Sequence, residues 1–242
     1  MEQDWKARTR LLVGEEALEK LDKSHVLVAG LGGVGAHAAE QLVRAGIGKL
    51  TIVDGDTLHL TNRNRQLPAL ESTMGLKKTD VMAQRLRDIN PDVELVVVDQ
   101  YIKDQLIVDL VAQPFDYVID AIDSLSPKVF LLYHAHQMGR KVVSSMGAGG
   151  KFDPQQVKAV DIAQTSQCRL AYYIRKKLHK LGVWEGITAV YSPEVVARRS
   201  VKAESGELNK RSTVGTISYM PALFGMYCAS VVIRSLIEKE IP

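Results

Sequence analysis

The residues best suited to chemistry gather around a glycine-rich turn. Gly30-Leu31-Gly32-Gly33-Val34-Gly35 has the spacing G-x-G-x-x-G. It follows the apolar run His25–Ala29 and opens a stretch of helical spacing from Gly33 to Ala45. Gly30 allows the tight turn, Gly32 lets the backbone approach a phosphate, and Gly35 permits close helix packing, with Gly33 between them. The helix amino terminus adds oriented N–H donors for an anion. Asp54 ends the next apolar run nineteen residues after Gly35, where a carboxylate can accept both ribose hydroxyls. Asp56 reads as a turn residue. These features imply nucleotide binding and suit NAD equally well. The loop Asn62-Arg63-Asn64-Arg65-Gln66 adds two guanidinium groups, with Asn62 as a further nucleotide contact, and Lys78 opens the next helix. NAD carries a diphosphate that backbone donors largely handle. A triphosphate needs fixed cations, and Arg65 and Lys78 are expected at the surface to supply them. Asp120-Ala121-Ile122-Asp123-Ser124 closes a further strand, and Asp123 can hold magnesium against phosphate oxygens. Helix capping is the competing role for Asp123.

These residues need a scaffold that brings strand ends together. Short β-rich runs at Lys49–Val53, Glu94–Val98, Tyr117–Asp120 and Lys141–Ser145 alternate with helical stretches. The helices are expected from about 78 to 90, stopped by Pro91, from 104 to 112, and from Ser126-Pro127 to about Met138. Such alternation implies an α/β, Rossmann-like, doubly wound and mostly parallel sheet. After residue 150 the pattern loosens. A strand is expected at Val157–Asp161, a helix at Cys168–Leu181 and a strand at Thr188–Tyr191. A polar loop then runs from Ala197 to Gly215, before an apolar helix from Ala222 to Lys239. No linker divides the chain, so 1–242 reads as one domain with a nucleotide-binding core to residue 150 and a carboxyl-terminal elaboration.

Composition narrows the class. The chain has 242 residues, 46% hydrophobic and 24% charged, ordinary values for a folded soluble protein. No apolar run reaches the roughly 18 residues of a membrane span. The start lacks the apolar core of a secretory signal. Two cysteines, Cys168 and Cys228, exclude a four-cysteine zinc site within the chain and point to a reducing, cytoplasmic setting. Cys228 reads as a buried small hydrophobe and Cys168 as a lone, partly exposed thiol. His134 and His136 cannot share a helix face for a metal. The net charge is only +3, but residues 169–211 hold ten Lys and Arg against four Glu. That asymmetry suits a polyanion, or else a solvated helix and basic loop.

Gly30 to Gly35, Val53-Asp54-Gly55-Asp56, Asn64-Arg65-Gln66, Gly75 to Lys78, Ile89-Asn90-Pro91 and Asp120 to Ser124 occur in an order that resembles the ATP-binding core of the ubiquitin-activating-enzyme superfamily. Arg8-Thr9, Leu12 to Leu18, Ser144 to Gly149, Asp153-Pro154 and Asp161-Ile162 resemble, within it, the tRNA threonylcarbamoyladenosine dehydratase family. The resemblance implies ATP and magnesium as cofactors, with Asp54 on ribose, Arg65 and Lys78 on phosphates, and Asp123 on magnesium or the α-phosphate. It implies a homodimer in which Arg8 reaches the partner's ATP. It allows K+ or Na+ near Gly147-Ala148-Gly149 and a sulfur-transfer partner protein. It also implies a substrate, tRNA carrying threonylcarbamoyladenosine, held partly by the basic segment. Three other readings stay open: an adenylating enzyme for a ubiquitin-like sulfur carrier, an NAD-dependent oxidoreductase, and a non-catalytic nucleotide-gated tRNA binder. The C-x-x-C pairs usual in sulfur-carrier activators are missing from the sequence.

Overall fold

Alternating β-rich and helical segments become, in a computed structural model, one sheet with helices on both faces. The structure describes residues 4–203 and 212–237. The strands are β1 His25–Ala29, β2 Lys49–Val53, β3 Glu94–Val98, β4 Tyr117–Asp120, β5 Val142–Ser145, β6 Lys158–Asp161 and β7 Thr188–Tyr191. Their order is β3-β2-β1-β4-β5-β7-β6, parallel throughout except for β6, which runs antiparallel along β7. Strand order reverses between β1 and β4, so a crevice opens at the carboxyl ends of those two strands. The glycine turn and the Asp120–Ser124 loop both begin there.

The helices are α1 Ala7–Val13, α2 Glu15–Lys23, α3 Gly35–Ala45, α4 Lys78–Ile89, α5 Asp104–Ala112, α6 Leu125–Gln137, α7 Arg169–Lys180 and α8 Tyr219–Leu236. Alternate residues of the central strands feed two apolar layers, as a sheet covered on both faces requires. Val26 and Val28 pack with residues of α3, α4 and α8, such as Leu42, Met82 and Phe224. Leu27 and Ala29 face α5, α6 and α7 through Ile107, Leu131 and Ile174. Gly46 closes α3 in the left-handed region at φ 103°, and Asn90 leaves α4 extended before Pro91.

Several expectations need correction. Helix α6 starts at Leu125 with Ser124 as its cap residue, so Ser126 and Pro127 lie inside its first turn. Helix α8 starts at Tyr219 and holds Pro221 in its first turn, where proline lacks no needed donor. It is also 18 residues long with Arg234 as its charge, enough by length and composition to cross a membrane. It instead lies against α3 and the sheet, burying Phe224, Cys228 and Val232, which explains its apolarity. The segment expected as a loop after Ala197 contains a two-stranded antiparallel ladder, β8 Val201–Ala203 with β9 Ser212–Val214. The turn between those strands, and the stretch expected to be helical up to Lys239, lie outside the described residues. Helices α1 and α2 precede the first expected strand and add to the expected elements. Cys168 is buried at the start of α7 rather than partly exposed.

Candidate active site

The glycine turn is shaped by its neighbours, except at one position. Gly30 has φ 94°, and a Cβ there would stand 2.9 Å from the Ala121 carbonyl oxygen. A Cβ on Gly35 would meet the Gly30 oxygen at 1.8 Å, and one on Gly33 would meet Pro221 at 2.9 Å and the Arg65 oxygen at 3.1 Å. Gly32 is different: only the Gln66 side chain comes within reach, at 3.8 Å. Protein packing therefore does not demand a glycine at 32, whereas close approach of a phosphate does. The α3 amino terminus beside it has no side-chain cap, leaving its N–H dipoles for an anion. Gln66 adds a second sign of a ligand, because its Oε1 is buried with no hydrogen-bond partner among the described residues.

Asp54 sits at the end of β2, where its Oδ2 accepts the Leu31 N–H at 2.7 Å and its Oδ1 the Asp56 N–H at 2.8 Å. These bonds orient the carboxylate beside the glycine turn and leave lone pairs for ribose hydroxyls. Burial pushes its carboxyl above the ordinary range, against the pull of Lys78 and the two N–H donors. Lys78 is 5% exposed, not a surface residue as expected. Its ammonium lies 2.7 Å from Asp56 Oδ2 and 3.7 Å from Asp54 Oδ1. Asp56, read as a turn residue, is thus the partner that holds this cation.

Arg65 behaves differently. It is half-buried, and its Nη1 donates to the Thr61 oxygen at 2.8 Å and to Asn64 Oδ1 at 3.0 Å, while its own carbonyl abuts Gly33. The loop thereby places the Arg65 backbone beside the turn and holds its guanidinium on the loop itself. Asn62 Oδ1 is occupied by the His59 N–H at 3.0 Å, which stabilises a short 3-10 turn at Leu60–Asn62. Asn64 Nδ2 donates to the Thr216 oxygen at 3.0 Å, joining this loop to the residues after β9.

At the end of β4, Asp120 and Lys128 are both fully buried and 2.8 Å apart. Asp120 also accepts the Ser144 hydroxyl at 2.6 Å and the Ile122 N–H at 3.1 Å, and Lys128 donates to the Ile122 oxygen at 3.0 Å. The Ala121–Asp123 turn is therefore clamped at both ends of Ile122. Asp123 is exposed and accepts the Ser124 hydroxyl at 3.2 Å. It is not the cap residue of α6, a position held by Ser124. No group of three or more metal-ligating side chains occurs among the described residues. One free carboxylate still fits magnesium, which takes one or two carboxylates together with phosphates and water.

Two further expectations divide. Arg8 lies on α1, next to the part of the fold where Lys6 packs on Gly46 at the far end of α3. The eleven residues of α3 span about 16 Å, so Arg8 does not join the glycine turn of its own chain. In the basic segment, Arg175 is tied inward, donating to the Ile162 oxygen at 3.4 Å and to Thr165 Oγ1. Lys176, Lys177 and Lys180 are exposed, while Glu204, Glu207, Lys210 and Arg211 lie outside the described residues. Cys228 is fully buried, with burial pushing its thiol up to about 12, so it is no nucleophile.

The ThiF family model matches residues 6–242. The tRNA threonylcarbamoyladenosine dehydratase of Escherichia coli is 35% identical over 97% of this chain and 95% of its own. The chain belongs to the ThiF family. Among solved structures, this ThiF-family protein is similar to the E. coli tRNA N6-threonylcarbamoyladenosine dehydratase, TcdA, in complex with ATP. The TM-score is 0.88 at 34% identity, covering 98% of this chain and 96% of that one. The E. coli sulfur carrier protein ThiS adenylyltransferase is 36% identical, but over only 49% of this chain. The dehydratases are thus its full-length relatives, and the sulfur-carrier enzyme is a distant one. The doubly wound, mostly parallel sheet expected from the sequence, here of seven strands, is the fold of that family. Sequence reasoning missed Gln66, Asp56 and Lys128. The first two stand inside motifs it quoted, and Lys128 shows as the single cation of an otherwise uncharged helical stretch.

Proposed function

We propose that this protein is an ATP-dependent tRNA threonylcarbamoyladenosine dehydratase. The observation that carries the reading is the likeness to dehydratases over 97% of the chain, elaboration included. The substrate offers a carboxylate on its threonine moiety and a ureido nitrogen close to it. The carboxylate attacks the α-phosphate of ATP, giving an acyl-adenylate and pyrophosphate. The ureido nitrogen then attacks the activated carbonyl, loses its proton and expels AMP, so the base loses one water and gains a ring. Both reacting groups belong to one nucleoside, and holding them in register supplies much of the acceleration. No protein nucleophile is required, in keeping with the buried cysteines.

The chain's own residues supply charge and position. Asp54 takes the ribose, Gly32 and the α3 amino terminus take phosphate, and Gln66 offers its unpartnered oxygen to the bound nucleotide. Lys78 exchanges part of its contact with Asp56 for phosphate oxygens, and Arg65 leaves its loop carbonyl for the departing pyrophosphate. Magnesium, held by Asp123 and phosphate oxygens, would neutralise charge as pyrophosphate leaves. A homodimer completes the picture. Helix α1 buries none of its residues, and Leu11 is 89% exposed, so a second copy covering α1 would carry Arg8 to the partner's ATP. The carboxyl-terminal part contacts tRNA, and a monovalent cation near Gly147–Gly149 and a cytoplasmic setting complete the proposal.

The test is to incubate threonylcarbamoyladenosine-containing tRNA with the protein, ATP and magnesium at mild pH, and to weigh the released nucleosides. ATP-dependent loss of one water from that nucleoside is expected. An unchanged nucleoside, with adenylation of a Gly-Gly-tailed carrier protein, would replace this reading with the sulfur-carrier one.

A further inference from the structure

The outward face of α7 has a composition that its role in packing does not explain. Arg169, Tyr172, Tyr173, Lys176, Lys177 and Lys180 are all exposed and stand at i, i+3, i+4, i+7, i+8 and i+11. Those positions form one helix face. The opposite face, Ala171, Ile174 and Leu178, is buried in the layer that α7 shares with α6. Helix α7 contains no Asp or Glu. At its end Trp184 is 62% exposed while one side of its ring stacks on His179, with centroids 4.2 Å apart and planes at 26°. Tyr172 is 52% exposed and meets Tyr173 edge-on at 5.4 Å, and the Arg169 guanidinium sits 5.7 Å over the Tyr173 ring. The rings are therefore held by neighbours yet present open surface to solvent.

We propose that this stripe is a stacking platform for unpaired RNA bases, with Lys176, Lys177 and Lys180 on the phosphates between them. The inference deepens the reading of tRNA as substrate and rests on it. Two independent features choose RNA. An uninterrupted cationic face complements a polyanion, and exposed aromatic rings complement bases that are not paired. An acidic protein would use the cations and leave the rings without purpose. A duplex would bury its own base faces, so the stripe distinguishes single strands from helices. Arg175, on the same helix, is excluded because it is bound inward to Ile162 and Thr165.

The experiment uses the full chain in a Trp5→Phe background, which leaves Trp184 as its only tryptophan. Titration with a single-stranded RNA oligonucleotide should quench Trp184 fluorescence, and the same RNA as a duplex, or heparin at equal charge, should not. Replacing Tyr172, Tyr173 and Trp184 together by leucine should weaken tRNA and oligonucleotide binding about tenfold or more. The salt dependence and the thermal midpoint should stay unchanged. Replacing Lys176, Lys177 and Lys180 by glutamine should instead flatten the salt slope, by roughly 0.7 for each lost phosphate contact. Equal quenching by heparin overturns the proposal, as does wild-type affinity in the leucine variant. Binding of polyglutamate in place of RNA overturns it in favour of a protein partner. If the wild-type chain binds the oligonucleotide through Trp184 but leaves modified tRNA chemically unchanged, the stripe stands and the dehydratase reading falls.

Discussion

Two lysines lie against carboxylates on either side of the glycine turn, and they are opposites in kind. Lys128 and Asp120 are both sealed from water, and their partners among the described residues are structural ones: each other, the Ser144 hydroxyl and the Ile122 backbone. Lys78 is buried too, but its nearest partner, Asp56, has a side chain 49% exposed, and its second carboxylate, Asp54, is 3.7 Å away. The first pair is enclosed and bonded to further polar groups, as a buried ion pair must be to offset its desolvation. The second has a nearest partner open to water and a second carboxylate beyond hydrogen-bond distance, so a phosphate can compete for it. A cation that only shapes a turn and a cation that meets substrate can thus be told apart by how completely they are paired.

The largest effect expected from this comparison is on folding. Lys128→Met leaves the Asp120 carboxylate buried and unpaired, so it should cost about 3–5 kcal/mol in denaturant unfolding. A Lys128→Met/Asp120→Asn double variant should recover part of that loss, giving a coupling energy in a double-mutant cycle. If Lys128→Met folds as well as wild type, the pair is not the clamp described here. Lys78→Ala should reverse the pattern. Its kcat/KM should fall by about 3 kcal/mol of transition-state stabilisation. Because Lys78 is buried its stability should fall too, but by less than in Lys128→Met, since the side chain of its nearest partner Asp56 reaches water. A variant that keeps full activity would place Lys78 among the structural lysines. Arg65→Ala should follow Lys78 in activity, and its stability should stay within about 0.5 kcal/mol because only local loop bonds are lost.

Asp123→Asn tests the exposed carboxylate beside the buried one. Turnover should drop at least about tenfold, and extra magnesium should restore some of it, while the unfolding midpoint stays put. Full activity would remove Asp123 from the site. The smallest effect concerns an intermediate case on α3. Glu40 is held by Arg85 on α4 at 2.5 Å and by Arg44 at 2.8 Å. Burial alone would raise its carboxyl, but the hydrogen bonds and charges of Arg85 and Arg44 outweigh it and hold the group below its ordinary value. Its contribution is therefore present above the ordinary carboxylate range and is lost as pH falls through the depressed folded value. Both arginines are about half exposed, so Glu40→Gln should cost only about 1 kcal/mol at pH 7. The gap between the variant and wild type should close on acidification to pH 3, and a gap that widens would contradict the assignment.

Much of the nucleotide half was legible from residue order. Strands at 25–29, 49–53, 94–98 and 117–120 and the α5 helix stand where apolar runs and stops put them. Glycine spacing located the turn, because close packing between Gly30, Gly35 and Ala121 admits no side chain. The elaboration was less legible. Its ladder after Ala197 pairs two strands of three residues each, too short for an alternating pattern to reveal them. Cap chemistry predicts the α6 start at Ser126, but Ser124 is the cap residue, and its hydroxyl bonds Asp123 rather than the helix's own N–H groups. There the clamp on Ile122, rather than a cap bond, sets where the helix begins.

By itself the sequence determined the local elements, the alternation that makes a parallel sheet, the nucleotide turn with its acid at Asp54, and the residue types available as cations. Each depends on neighbours a few positions apart, and steric limits on the backbone act at that range. Only the tertiary structure decided which cation faces which carboxylate. Lys78 finds Asp56 across 22 residues, and Glu40 finds Arg85 across 45. It also decided that β7 enters the sheet beside β5 with β6 turned antiparallel at the edge, and that Arg175 turns inward while its neighbours on α7 face solvent. Burial and pairing arise when separate elements are packed to exclude water, and no local pattern encodes which surfaces will meet.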